Sequence, residues 1–264
     1  MLYYPQLTTG SVCQFPVSRE VKMRTVTNDL FGGDTIRMAD TGCAAVRWQL
    51  RYKNLTDGEW SALEQLFEAT EGRFGTFTFL DPTDNLLMWS EDWTQKVWNA
   101  DPLLTVTVGR PDALGGTSAM QLTNNAQATQ SIAQSVPVAS WFQYCWSCFV
   151  RSDAPCRVQL MSMTPGEEQV QEIAVGAQWN RVAMPAHLST KQDGMIFGIQ
   201  LPAGFRIDVF GAQVEAQMAA GYYKKTVDRA GVHSSTRFDS DALTRTGDGP
   251  NQSACVVNLM SNLS

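Results

Sequence analysis

Between Phe77 and Trp98 the chain passes from one kind of sequence to another, and that passage limits what can lie on either side. Phe77-Thr78-Phe79-Leu80 carries aromatic and β-branched residues in alternation, which predicts a strand. Asp81-Pro82 ends it, because proline brings no N–H to a ladder and restricts the residue before it. Asn85-Leu86-Leu87, the acidic Ser90-Glu91-Asp92, Trp93 and Trp98 follow. The junction reads as the point where one domain hands the chain to another. A length of 264 residues leaves room for one large domain or two ordinary ones.

Upstream lies one clear helix. Thr56 is a good N-cap and Glu59 stands three residues on, the pattern of a capping box. Trp60, Leu63, Leu66 and Phe67 recur at helical spacing, and Gly72 suits the left-handed position beyond the end. One apolar stripe needs a sheet to lie on. Strands are expected from Gln14-Phe15-Pro16-Val17 at an edge, from Val21–Thr27, from Thr35–Ala39 and from Ala45–Tyr52, with a turn at Phe31-Gly32-Gly33-Asp34. In the last of these, Val46, Trp48, Leu50 and Tyr52 share one face and Arg47, Gln49, Arg51 and Lys53 the other. A half-buried antiparallel strand has that pattern.

Downstream, residues 83–221 show short alternating runs broken by Gly, Pro, Asn and Asp. Nine strands are expected, starting near Leu104, Ala119, Gln130, Trp141, Arg157, Gln169, Asn180, Met195 and Phe205, enough for two packed sheets in a jelly roll. The tail changes texture again. Arg237–Leu243 and Ser253–Leu259 read as strands joined through Gly247-Asp248-Gly249-Pro250, and the second is too short to stand alone. The fold class expected is therefore mainly β. An N-terminal β-sandwich domain with one α-helix, residues 1–83, is completed by C-terminal strands in 221–264. A jelly-roll β-sandwich, residues 84–220, is inserted into it.

The "F-x-F-x-D-P" strand end followed by "N-L-L-x-x-S-E-D" and tryptophan resembles tail proteins of tailed bacteriophages. Phe210-Gly211-Ala212-Gln213-Val214-Glu215-Ala216 is similar to the closing strand of the same carbohydrate-binding-like module. Leu55-Thr56-Asp57-Gly58-Glu59-Trp60 and Glu71-Gly72-Arg73-Phe74-Gly75-Thr76-Phe77 resemble the N-terminal hub of distal tail proteins, the baseplate hub type. The resemblance implies a structural virion protein of the tail tip, assembled in the host cytoplasm. Its partners would be other copies of itself in a ring, the tail tube, baseplate hub proteins and host cell-surface glycans. An unrelated α+β domain is the alternative for the first part. A stand-alone carbohydrate-binding module or a polysaccharide-degrading accessory protein is the alternative for the whole.

Composition narrows the chemistry. A net charge of −6 without basic clusters argues against nucleic acid. No apolar run approaches membrane-spanning length, and Met1–Gly10 lacks the pattern of a secretory signal. Free thiols are expected for Cys13, Cys43, Cys145, Cys148, Cys156 and Cys255, all as core residues. Cys145 and Cys148, three apart on a strand, face opposite ways and cannot share an ion. His187 and His233 sit in no nucleophile or metalloprotease motif, no carboxylate pair stands out, and Glu167-Glu168 reads as a solvated turn. No catalytic residue is expected.

Sugar binding is better motivated. On the run Trp141–Arg151, alternation assigns Phe142, Tyr144, Trp146, Cys148 and Val150 to the core. The other face holds Trp141, Gln143, Cys145, Ser147, Phe149 and Arg151, a mixture of rings and polar groups suited to a glycan or to packing on a neighbour. Trp141, Gln143, Phe149 and Arg151 are the candidate ligand-binding residues. The resemblance places Trp93, Trp98 and Trp179 at aromatic core positions and Asp208 where related modules carry a structural calcium ligand. No other cofactor is expected.

Overall fold

The computed structural model describes residues 1–263, which divide into two compact units. The body comprises Met1–Thr8, Val12–Phe79 and the chain from His233 on; the second unit comprises Thr9–Ser11 and Leu80–Val232.

The body's strands are β1 (Ser18–Asp29), β2 (Thr35–Leu55), β3 (Phe77–Leu80, whose last residue belongs to the second unit), β14 (Val232–Phe238), β15 (Thr246–Gly249) and β16 (Gln252–Asn262). They form one sheet in the order β1-β2-β16-β14-β3, with β15 paired to β16. Val46, Trp48, Leu50 and Tyr52 turn inward, as their alternation requires, and α1 (Asp57–Ala69) adds Trp60, Leu63 and Leu66 to the same core. The capping box is complete: the Thr56 hydroxyl accepts from the Glu59 amide at 3.2 Å, and the Glu59 carboxylate accepts from the Thr56 amide at 2.9 Å. Gly72 takes φ +66° beyond the helix.

Several strand bounds differ from expectation. Gln14–Val17 is not a strand. The Gln14 side chain brackets Lys53 instead, donating to its carbonyl and accepting from its amide, both at 2.8 Å, so a side chain does what a ladder residue would. Thr35–Ala39 and Ala45–Tyr52 belong to one strand of 21 residues. Its first part pairs only with β1, from Arg24↔Asp40 to Asp29↔Thr35, making an arm closed by the turn at Leu30–Asp34. In the tail, the first strand ends at Phe238 and Thr246–Gly249 is ladder rather than turn. Asn251, at φ 54°, supplies the left-handed residue of the hairpin, so the turn lies beyond the glycines.

The second unit is the jelly-roll sandwich. Its strands are β4 (Trp98–Ala100), β5 (Leu104–Arg110), β6 (Ala119–Asn124), β7 (Gln130–Ala139), β8 (Tyr144–Arg151), β9 (Cys156–Thr164), β10 (Glu167–Val175), β11 (Asn180–Ala186), β12 (Asp193–Leu201) and β13 (Arg206–Glu215). One sheet runs β10-β9-β12-β7-β4, the other β11-β8-β13-β6-β5. Between them, Trp146 is fully buried and donates from Nε1 to the Gly198 carbonyl at 2.9 Å. A Cβ at Gly198 would stand 2.6 Å from the Ile132 oxygen, so only glycine fits this close pass.

The two motifs of the second unit are partners. Asn85 donates to the Ala212 and Lys224 carbonyls and accepts from the Leu87 and Val214 amides, which satisfies the whole amide group. The Ser90 carbonyl accepts from the Ala212 amide, and Trp93 stacks on Trp98 at 4.5 Å. The chain enters and leaves this unit side by side, since the Asp81 amide donates to the Gly231 carbonyl at 2.8 Å.

All six cysteines are free thiols. Cys43 departs from the core expectation, being exposed on the arm; the other five are buried. Burial pushes the Cys148 thiol up to about 12.

Candidate functional site

The outer face of β8 is partly covered by the chain itself. Cys145 and Ser147 are fully buried, so this part of the face serves packing rather than a glycan. The segment after β13 lies across them. The Gly221 amide donates to Glu215 and the Lys224 amide to Gln213 Oε1, while the Tyr223 ring packs on Phe210 at 5.3 Å and edge-on to Phe149 at 6.5 Å. Polar side chains of the sheet thus bind backbone groups of a neighbouring segment. Burial pushes the Tyr223 phenol well above its usual range, so it stays a neutral donor to Glu91 Oε1 at 3.0 Å.

Phe149, Arg151, Arg181 and Gln121 remain half-exposed and belong to two adjacent rungs, whose members Phe210 and Asp208 are buried. On one, Arg181 of β11 stands opposite Phe149 of β8, which stands opposite Phe210 of β13. The Arg181 guanidinium lies over the Phe149 ring, 5.6 Å from its centroid, and donates to Ser147 Oγ and the Gly221 carbonyl. On the next rung, Arg151 faces Asp208, which faces Gln121 of β6. Arg151 also lies over Trp179, 4.8 Å from its centroid. Adjacent same-face residues of a strand are about 7 Å apart, so the rungs make one surface a few residues wide.

Phe149 and Arg151 are therefore brought together, each stacked with a residue from or beside β11. Trp141 and Gln143 are not with them. They lie in the turn before β8, which starts at Tyr144. Gln143 is six residues along the chain from Phe149, roughly 20 Å of strand. Trp141 packs edge-on to Phe142 at 6.0 Å with Lys191 Nζ over its ring at 6.0 Å.

Asp208 does not fit a calcium role. Its Oδ2 accepts from Arg151 Nε and Nη2 at 3.0 and 2.8 Å, and its Oδ1 accepts from Gln121 at 3.1 Å with Arg110 Nε at 3.6 Å. A hard dication needs several oxygens and repels guanidinium. Among the described residues, no group of three His, Cys, Asp or Glu side chains could hold a metal ion.

Arg181, Gln121, Arg110 and Trp179 join this surface without having been expected there. Alternation along Asn180–Ala186 puts Arg181 and Ala183 on one face, but which strand lies beside β11 is not a local property. Glu167 is solvated as expected but opens β10 rather than lying in the turn, and it accepts from the Ser189 and Thr190 amides at 3.0 and 2.7 Å, which lower its carboxyl to about 2.

No family model matches the chain, and no curated protein matches it. Among solved structures, the CBM22-1 xylan-binding domain of Paenibacillus barcinonensis Xyn10C is 18% identical over 52% of this chain and 97% of that one, at a TM-score of 0.42. The C-terminal family 22 carbohydrate-binding module of Clostridium thermocellum Xyn10B is 14% identical over 53% and 99%, at 0.43. The enzymatically active domain of bacteriophage CBA120 tailspike protein 4 is 13% identical over 52% and 22%, at 0.39. At these values the likeness says nothing about which residues act.

Proposed function

We propose that this chain is a structural protein of a bacteriophage tail tip whose body assembles with copies of itself into a ring and whose sandwich meets glycans of the host surface. The observation that carries the glycan part is the half-exposed pair of rungs, where Phe149, Trp179 and Tyr223 offer rings beside Arg151, Arg181 and Gln121. Sugars present apolar C–H faces to rings and hydroxyls to planar polar groups, and this surface holds both within one footprint.

The arm supports the ring. Phe31, Ile36 and Met38 are exposed on its turn and second strand, and Met23 is exposed on β1 at its base. An isolated two-stranded ribbon is marginal in water, and a bare, apolar one invites a partner. The Asn85 motif and its pairing with β13 are consistent with the tail-protein resemblance, and the tail tube and baseplate hub proteins would then flank the ring. A free carbohydrate-binding module has no need of such an arm.

A glycan array probed with the whole chain and with Phe149→Ala tests the first part. Binding that the variant loses supports it, whereas an array with no bound glycan overturns it. Native mass spectrometry tests the second, and a strict monomer at all concentrations overturns the ring.

A further inference from the structure

The chain carries net charge −6, yet guanidinium groups dominate the two rungs. Each nearby carboxylate is already engaged. Asp208 takes Arg151 and Gln121; Glu215 takes Lys224 at 2.8 Å and the Gly221 amide. Glu91 takes Lys225 and the Tyr223 hydroxyl, and Asp112 takes the amides of Leu114, Gly116 and Ser118. Asp153, at the rim, faces Arg206 at 3.7 Å.

Two of the cations have no carboxylate to themselves. Arg181 is held by neutral groups alone, Ser147 Oγ and the Gly221 carbonyl. Arg110 pairs with Asp208 at 3.6 Å through Nε, an atom that is buried and makes no hydrogen bond, while its side chain as a whole is 41% exposed; Arg181 Nε is likewise buried and unbonded. Meanwhile Arg151 and Arg181 are laid on Trp179 and Phe149. The ring contacts and these hydrogen bonds hold both guanidiniums in place. Each Nη carries a second N–H that they leave unused, and such an N–H can meet an oxygen of a carboxylate or phosphate. A neutral sugar hydroxyl donates as well as accepts, and here every carboxylate already holds donors of the chain itself.

We infer that this face takes an acidic glycan, a saccharide bearing carboxylate or phosphate groups, which Arg110, Arg151 and Arg181 bind through the Nη N–H groups not used within the protein. The inference rests on the sandwich being a glycan-binding domain and specifies its ligand.

Affinity electrophoresis of the whole chain tests it, with gels containing polygalacturonate, a glycerol-phosphate polymer, neutral xylan or a single-stranded oligonucleotide. Retardation by an acidic polymer and not by xylan is expected, weakened roughly tenfold by Arg110→Gln or Arg181→Gln as charge-assisted hydrogen bonds are lost. Which acidic polymer acts tells carboxylate from phosphate. Arg110→Gln keeps the test sound if Arg181→Gln fails to fold, since the Arg110 side chain is 41% exposed. Retardation by xylan alone, or by all polymers equally, overturns the inference and leaves the glycan reading standing. Retardation by none overturns both. Equal retardation by the oligonucleotide, or unchanged binding in both variants, also overturns the inference.

Discussion

Arg151 donates two hydrogen bonds to one oxygen of Asp208, at 3.0 and 2.8 Å, directly across β8 and β13. The Asp208 side chain is 7% exposed and that of Arg151 27%, so the two partners do not stand equally in water. A buried charge stripped of its partner costs far more than a charge that water can reach.

Arg151→Ala is therefore expected to destabilise more than Asp208→Ala. The first leaves a buried carboxylate with only Gln121 and a distant Arg110, at about 3 kcal/mol; the second leaves a guanidinium that solvent reaches, at about 1–2 kcal/mol. Urea unfolding of both variants gives the order directly, and the reverse order would mean that the pair is wet in solution. Calcium or a chelator should move neither midpoint.

At the body's helix, two substitutions separate capping from packing. Thr56→Ala removes the oxygen that accepts from the Glu59 amide and should cost about 1 kcal/mol. Trp60 is 5% exposed, with Arg245 over its ring at 5.7 Å, so Trp60→Ala should cost about 3–5 kcal/mol. Thermal unfolding compares the two, and equal small effects would place the helix loosely on its sheet.

Acid should loosen one loop of the sandwich first. The amides of Ser189 and Thr190 hold the Glu167 carboxyl at about 2, below its ordinary 4.5. A depressed carboxyl contributes stability that is present above pH 4.5 and is lost as pH falls toward 2. Hydrogen exchange at the Ser189 and Thr190 amides should speed up across that window ahead of the sandwich core. Glu167→Gln should show the faster exchange already at neutral pH, with little further change on acidification.

The arm separates assembly from stability. Phe31 is fully exposed at its tip and Met23 is 67% exposed on β1. Replacing both with serine should leave the melting temperature nearly unchanged, since such surface positions contribute within about 0.5 kcal/mol. If the chain assembles into the proposed ring, the same variant should stay monomeric in native mass spectrometry. A large fall in melting temperature would instead show that the arm folds back on its own body in solution.

Short-range order was legible. The capping box at Thr56 and Glu59, the alternation of Val46 to Tyr52, and nearly every strand of the sandwich follow from patterns spanning a few residues, because backbone geometry repeats over that distance. The arm escaped because Thr35–Ala39 and Ala45–Tyr52 read as separate strands, while one strand runs on through the irregularity between Asp40 and Ala45. The tail hairpin shifted because Asn251 could adopt the left-handed conformation that glycine was expected to supply.

The site was only half legible, and the missing half is long-range. Alternation placed Phe149 and Arg151 on one face correctly. It could not show that Arg181 stands opposite Phe149, nor that the segment around Tyr223 closes over Cys145 and Ser147. A bulge at Gly211, with φ +65°, brings Phe210 and Gln213 to the same face of β13, where a strict period of two sets them on opposite faces. The amino-acid sequence by itself determined which residues prefer strand, helix or turn, since those preferences are local. Strand order, the bulge and the covering segment were decided only by tertiary structure, because each is fixed by contacts between residues far apart in the chain.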